Sequence, residues 1–383
     1  VEENQDYSKS SIKTLTFREA VRKRPAMYVG TVGAAGGFML MKNIAREILD
    51  VYPETELKIF IEKGDEIKIS FLIKNNELSE LFSFLGDPPL SKDKLYMLSY
   101  IKVTTALSDN FQLTVKAEKE IVSRTYKEGV EIVPRKEMNS SDAEYVDVEF
   151  KFSFPMLESE FLEYSDEKHS LAISFSSDDS WRFIQYLNQL ACIFPTVKIS
   201  IEDDRLEAPT KLFIYRPNGL VDLLAGNSIQ PAYFTNEHGF CFHFTGKEKE
   251  ISYQIVIDDR HVPIEGLEKM VFFNGEFCHH GCSHAKAIND AIRELSEKIK
   301  TEGDVGHAYE RSIDDLNIYV SVNELESVSD LKWQGPTKYI FISPSIYESI
   351  KAVVYEKLRI RCKENKHFSS IIANLTFPPV KLS

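Results

Sequence analysis

Apolar residues along the chain follow two periods. They fall at every second position in Leu57–Ile61 and Ile67–Ile73, and the polar break Lys63-Gly64-Asp65 between these runs predicts a β-hairpin. Similar alternation over Gln112–Ala117, Ile121–Thr125, Val146–Phe152, Val197–Glu202 and Lys211–Tyr215 predicts further strands. A helical stretch opens with Phe17, Ala20 and Val21, then runs through Arg22-Lys23-Arg24 and stops at Pro25. Gly30–Gly37 reads as a glycine-rich turn leading into an apolar-periodic segment, Met39–Leu49. Ser180 is the expected N-cap of a helix running to about Cys192. These elements predict an α+β layer, a mostly antiparallel sheet with helices on one face.

A second αβ block begins near Pro217, with strands expected around Phe240–Phe244, Ser252–Ile257 and Met270–Asn274. Helical spacing from Ser283 to about Lys300 places Ile288, Ile292, Leu295 and Ile299 on one face. Strands Ile318–Val322 and Tyr339–Ile342 and a helix from Ser345 to about Arg361 complete the pattern. With no repeat, low-complexity segment or Pro/Ser-rich linker, the two blocks are expected to pack directly on each other.

The length of 383 residues suits two or three domains, and 43% hydrophobic with 27% charged residues is ordinary for a folded protein. No run approaches the roughly 18 apolar residues of a membrane span, and the N-terminal stretch lacks the apolar core of a signal peptide. The formal net charge of −13 argues against a broadly basic nucleic-acid surface. Five cysteines, Cys192, Cys241, Cys278, Cys282 and Cys362, form an odd and mostly scattered set, so a reducing cytoplasm is the simplest compartment.

Tyr7-Ser-Lys-Ser-Ser-Ile12-Lys-Thr-Leu followed by Glu19-Ala-Val-Arg-Lys-Arg-Pro25-Ala-Met-Tyr-Val-Gly30 resembles the start of the gyrase B subunit and of related bacterial type II topoisomerase ATPase subunits. Thr104-Thr-Ala-Leu-Ser108 is similar to that family's Val-Asn-Ala-Leu-Ser helix. Gly281-Cys-Ser-His284-Ala-Lys-Ala-Ile resembles its transducer segment Gly-Gly-Thr-His-x-x-Gly-Phe, and Gly335-Pro-Thr337-Lys338 its Gln-Thr-Lys loop. The matches occur in the family's order. The resemblance implies a dimerisation arm over residues 1–15, a GHKL (Bergerat) α/β sandwich over 16–215 and a ribosomal-S5-like α/β transducer over 216–383. Tyr7 and Ile12 would belong to the arm that crosses to a partner. The chain ends where the family's TOPRIM domain would begin, and Glu302-Gly303-Asp304 has no Asp-x-Asp companion, so strand cleavage is not expected of it.

The resemblance also specifies an ATP site: a helical Glu as general base, an Asn one turn later on Mg²⁺, an Asp that reads adenine, glycines that admit the ligand and a Gly-rich phosphate loop. Carried over without a gap, the Glu position holds Ile44 and the Asn position Ile48. A shift of three residues brings Glu47 into register as a fallback base but leaves Val51 at the Asn position, and Glu47 reads as a solvated helix residue. The Asp-Asp-Gly-Arg-Gly segment falls on Asn75-Asn76-Glu77-Leu78-Ser79, where Glu77 and Ser79 put side chains in place of glycines. Glu77 would also set a negative charge near a polyphosphate. Tyr96–Val103 contains no glycine where the phosphate loop belongs, and the adenine-supporting Thr falls on Val146. Lys338 matches the lysine that reaches the γ-phosphate, but with the rest of the site lost it reads as a surface lysine capping a loop. Base, metal ligand, adenine contact and phosphate cradle are lost together, the mark of a pseudo-ATPase.

Cys278-His279-His280-Gly281-Cys282-Ser283-His284 is dense in soft ligands, but its spacing follows no standard zinc pattern. It reads as a strand-to-helix loop with N-cap Ser283 and no metal. Arg22-Lys23-Arg24 reads as structural, and Asp258-Asp259-Arg260-His261 as a solvated turn at a strand end. The expected function is a non-catalytic, dimerising interaction or regulatory protein. It would need no cofactor, would pair with itself or a homologue through the arm, and would dock on a topoisomerase or other DNA-processing protein, with weak or indirect DNA binding. The alternative is a divergent ATPase subunit using ATP and Mg²⁺, with Glu47 as base, to drive DNA handling with a partner subunit.

Overall fold

Thr16 opens the first helix, α1 (Phe17–Lys23), through a capping box: its hydroxyl accepts from the Glu19 N–H at 3.3 Å, and its own N–H donates to Glu19 Oε2 at 2.9 Å. The structure, a computed structural model, describes residues 15–62, 66–77, 99–116, 121–132, 144–153, 177–205, 210–224, 241–248, 251–258, 269–273, 276–278, 283–303, 311–324 and 344–377. The chain divides into two units, Val1–Pro217 and Asn218–Ser383.

In the first unit, α2 (Pro25–Val29) starts on proline and ends at Gly30, whose φ of +83° suits a residue without Cβ. Helix α3 (Gly33–Val51) follows, so most of the glycine-rich stretch expected as a turn is helical instead. Close approach explains one glycine there: a Cβ on Gly36 would lie 2.5 Å from the Thr31 carbonyl oxygen. Next come β1 (Glu56–Ile61), β2 (Glu66–Lys74), α4 (Ser99–Leu107), β3 (Phe111–Lys116), β4 (Ile121–Lys127), β5 (Val130–Glu131), β6 (Tyr145–Ser153), α5 (Ser177–Ile193), β7 (Lys198–Asp203) and β8 (Thr210–Tyr215). The eight strands form one sheet in the order β5-β4-β3-β6-β2-β1-β7-β8, antiparallel except where β1 meets β7.

Alternation decides the faces of this sheet. Ile67, Ile69, Phe71 and Ile73 of β2 are buried, as are Val146, Val148, Phe150 and Phe152 of β6. The intervening positions carry charges paired across strands, Lys151 to Glu66 at 2.8 Å and Lys116 to Glu149 at 3.0 Å. Each such half-buried pair contributes modest stability, but together they leave the apolar face as the one that packs against helices. Ser180 does not cap α5; it lies inside the first turns, buried, with its hydroxyl on Asp203 Oδ2 at 2.5 Å. The Arg205 guanidinium completes this cluster at 2.8 Å from Asp203 Oδ2 and 2.7 Å from Ser180 Oγ.

The second unit contains α6 (Val221–Leu224), β9 (Cys241–Glu248), β10 (Ile251–Asp258), β11 (Lys269–Phe273), β12 (Glu276–Phe277), α7 (Ser283–Glu302), β13 (Arg311–Ser312), β14 (Asn317–Glu324), α8 (Pro344–Glu364), α9 (Lys366–Ala373) and β15 (Leu375–Thr376). Its main sheet has the order β12-β11-β14-β10-β9, with only β11 and β14 parallel, and β13 pairs with β15 separately. Ile288, Ile292, Leu295 and Ile299 of α7 are buried in one core with Ile255, Ile257, Val320 and Val322. Tyr347 of α8 donates to Asp290 of α7, and Ser296 donates to the Ala373 carbonyl of α9 at 3.3 Å. Asp258 is buried, not solvated as expected of its turn. The expected strand Tyr339–Ile342 lies outside the described residues.

Candidate nucleotide site

Helix α3 sets the character of the site. Ile44 and Ile48 stand one turn apart and so share a face, and they are 1% and 0% exposed. An aliphatic chain neither accepts a proton nor ligates a cation, so the two positions that the resemblance assigns to a base and a magnesium ligand supply packing. Those two side chains do not fit a magnesium–nucleotide complex.

Glu47 is not the solvated residue expected from sequence. It is 4% exposed, and its Oε2 accepts the Tyr100 N–H at 2.8 Å. A buried carboxylate needs such donors to offset its lost hydration, and the first N–H groups of α4 are available because a helix start has no internal partners for them. Sequence reasoning missed this role because the partner lies 53 residues downstream, in a segment singled out only for lacking glycine.

Two threonines of α4 and the serine just after it bond back to carbonyls of the helix. Thr104 donates to the Tyr100 carbonyl at 2.7 Å, Thr105 to the Ile101 carbonyl at 2.9 Å and Ser108 to the Thr104 carbonyl at 2.7 Å. The basic run serves packing as well: Arg22 donates to the Ala106 carbonyl at 3.1 Å and pairs with Glu128 at 3.4 Å. Neighbouring Arg18 donates to the Glu128 carbonyl at 3.3 Å.

At the end of β2, Asn75–Glu77 forms a short 3-10 turn, with the Asn75 N–H donating to the Glu144 carbonyl at 3.0 Å. Val146 is 1% exposed and pairs with Ile73 across β6 and β2, so an apolar residue occupies the position expected to support adenine. Ser79 and Lys338 lie outside the described residues, as do the arm residues Tyr7 and Ile12.

In the second unit His284 is fully buried in the first turn of α7, its ring 6.0 Å from that of Phe273. Burial pulls its pKa down to about 3, so the imidazole is neutral at ordinary pH. Cys278 is buried and takes part in no disulfide, while residues 279–282 of the soft-ligand run lie outside the described residues. Among the described residues, no group of three or more His, Cys, Asp and Glu side chains is placed to hold a metal ion. Nor is any described helix long and apolar enough to cross a membrane.

No protein-family model matches the chain. The chain is 24% identical over 381 residues to the B subunit of DNA topoisomerase 4 from Mycoplasma genitalium, covering 92% of this chain and 55% of that protein. It is 20% identical over 399 residues to the DNA gyrase B subunit of the same organism, covering 97% of this chain and 59% of that one. The chain thus spans a little over half the length of these two relatives. Among solved structures, the 43K ATPase domain of Thermus thermophilus gyrase B, in complex with an aminocoumarin, superposes with a TM-score of 0.67 at 16% identity, covering 93% of this chain and 92% of that one. The gyrase B-subunit of Myxococcus xanthus gives a TM-score of 0.66 at 21% identity, covering 94% and 99%. The chain resembles the ATPase-plus-transducer region of gyrase B and topoisomerase IV B subunits, and it has that α+β fold.

Proposed function

We propose that this chain is a gyrase-B-like pseudo-ATPase, a protein that uses the fold for assembly and regulation rather than for ATP turnover. The observation that carries the reading is the complete burial of Ile44 and Ile48 on α3, where the resemblance calls for a base and a magnesium ligand. The ATPase alternative depends on Glu47 as base, and that carboxylate is already engaged by the Tyr100 N–H. In this reading no nucleotide or Mg²⁺ is needed. The chain pairs with itself or a homologue through its N-terminal arm and docks on a topoisomerase or another DNA-processing protein; the relatives named as DNA topoisomerase 4 and DNA gyrase B subunits are the basis for that choice of partner. Residues 16–215 would provide the degenerate GHKL domain and 216–383 the transducer.

Light scattering on the purified chain, with and without Mg–ATP, tests the reading. The expected result is a dimer mass in both conditions. A monomer that dimerises only when nucleotide is added would overturn it, and a monomer in both conditions would remove self-assembly from it.

A further inference from the structure

Helix α4 is held at both ends by charged side chains of the sign that its own dipole favours. At its start, the Tyr100 N–H donates to the buried Glu47 carboxylate at 2.8 Å. At its end, the Ala106 carbonyl accepts from the Arg22 guanidinium at 3.1 Å. A helix carries partial positive charge at its first N–H groups and partial negative charge at its last carbonyls, so both contacts are favourable. Hydrogen bonds to charged groups are also the stronger kind.

The two clamping residues belong to different elements. Glu47 stands on α3 and Arg22 on α1, so α4 bridges the two helices. The arrangement is reinforced beside its C-terminal end. The Glu128 N–H donates to the Ser108 carbonyl at 3.1 Å, and Glu128 pairs with Arg22 at 3.4 Å. Gly129, at φ +79°, brings the following turn so close that a Cβ there would lie 3.1 Å from the Ala106 Cα.

A helix start that receives a phosphate must leave its N–H groups open to the ligand. Here the protein supplies the anion itself. We infer that Glu47 and Arg22 form a charge clamp that fixes α4, and through it α1, in place with no ligand present. This deepens the proposed function and rests on it: contacts within the chain hold α4 without a nucleotide. Arg22 and Glu47 are positioning residues in this scheme.

Amide hydrogen exchange on the whole purified chain tests the clamp. Glu47→Ala is expected to speed exchange about tenfold or more, both at residues 104–107 of α4 and at 20–23 of α1, while β2 and β6 keep their protection. Arg22→Ala is expected to speed the same two sets. Acceleration confined to Tyr100 and its immediate neighbours, or none, would overturn the clamp. If Glu47→Ala fails to fold, Glu47→Gln decides, because it keeps an acceptor oxygen without the charge. Faster exchange in both helices would uphold the clamp, and unchanged exchange would overturn it. A parallel exchange run with Mg²⁺ and a non-hydrolysable ATP analogue separates the two claims. Added protection by the analogue would contradict the proposed function, whereas the response of α1 to the loss of Glu47 reports on the clamp alone.

Discussion

Replacing Asp203 with alanine is expected to lower the unfolding free energy by about 3–5 kcal/mol, because it leaves a nearly buried guanidinium without its counter-charge. Asp203 is 1% exposed at the end of β7, and Arg205 holds both of its oxygens, Nε to Oδ1 at 3.0 Å and a terminal nitrogen to Oδ2 at 2.8 Å. Ser180 on α5 completes the cluster, so the carboxylate ties a helix to the strand beneath it. Burial by itself pushes the Asp203 carboxyl up, but the hydrogen bonds from Arg205 and Ser180 outweigh it, and the net shift is below the ordinary 3.8. The stabilisation from this shift is therefore present in full above about pH 4 and is lost as pH falls through the lower native value. Urea unfolding of Asp203→Ala measures the loss. The paired variant Asp203→Leu with Arg205→Met is expected to cost clearly less, since removing both charges leaves none stranded. A single variant as stable as the parent would contradict this description of the cluster.

Placing on α3 the polar residues that the resemblance assigns to it is expected to damage the protein without creating an enzyme. Ile44→Glu puts a carboxylate, and Ile48→Asn an amide, where the parent side chains are 1% and 0% exposed. Each is expected to destabilise by about 3–5 kcal/mol, combining lost apolar burial with the cost of an unpaired polar group. The two sites are one helical turn apart, so the double variant will not follow the simple sum. Thermal unfolding and a phosphate-release assay check both halves of the prediction. A double variant that keeps the parent's stability and hydrolyses ATP would mean that this face borders a solvated ligand pocket and not a core.

The strands were legible because a sheet with one apolar face writes its pattern at every second residue. β1, β2, β6 and β7 lie within a residue or so of the positions their alternation predicts. Helix α7 was equally clear, its buried isoleucines and leucine recurring at helical spacing. Other features escaped the sequence reading for physical reasons. Gly33–Gly37 carries a turn composition, but tight packing at Gly36 favours glycine inside a helix. Ser180 has the chemistry of an N-cap, yet its hydroxyl is committed to Asp203, 23 residues away. Helix α9 escaped notice because it follows α8 with only Asn365 between, whose side chain accepts from the Phe368 N–H at 3.0 Å as a new cap.

The candidate site was half legible. That Ile44 and Ile48, the positions the resemblance assigns to base and metal ligand, can serve neither role is readable from residue type alone, and the structure adds that both are buried. The role of Glu47 was not visible, because a glutamate on a helix is usually solvated and its partner is a backbone N–H with no sequence signature.

The most direct measurement is isothermal titration of the purified chain with a non-hydrolysable ATP analogue in the presence of Mg²⁺. The predicted result is no heat of binding, with or without the metal. Magnesium-dependent binding in the micromolar range would contradict the proposal that the ATP site has been given up.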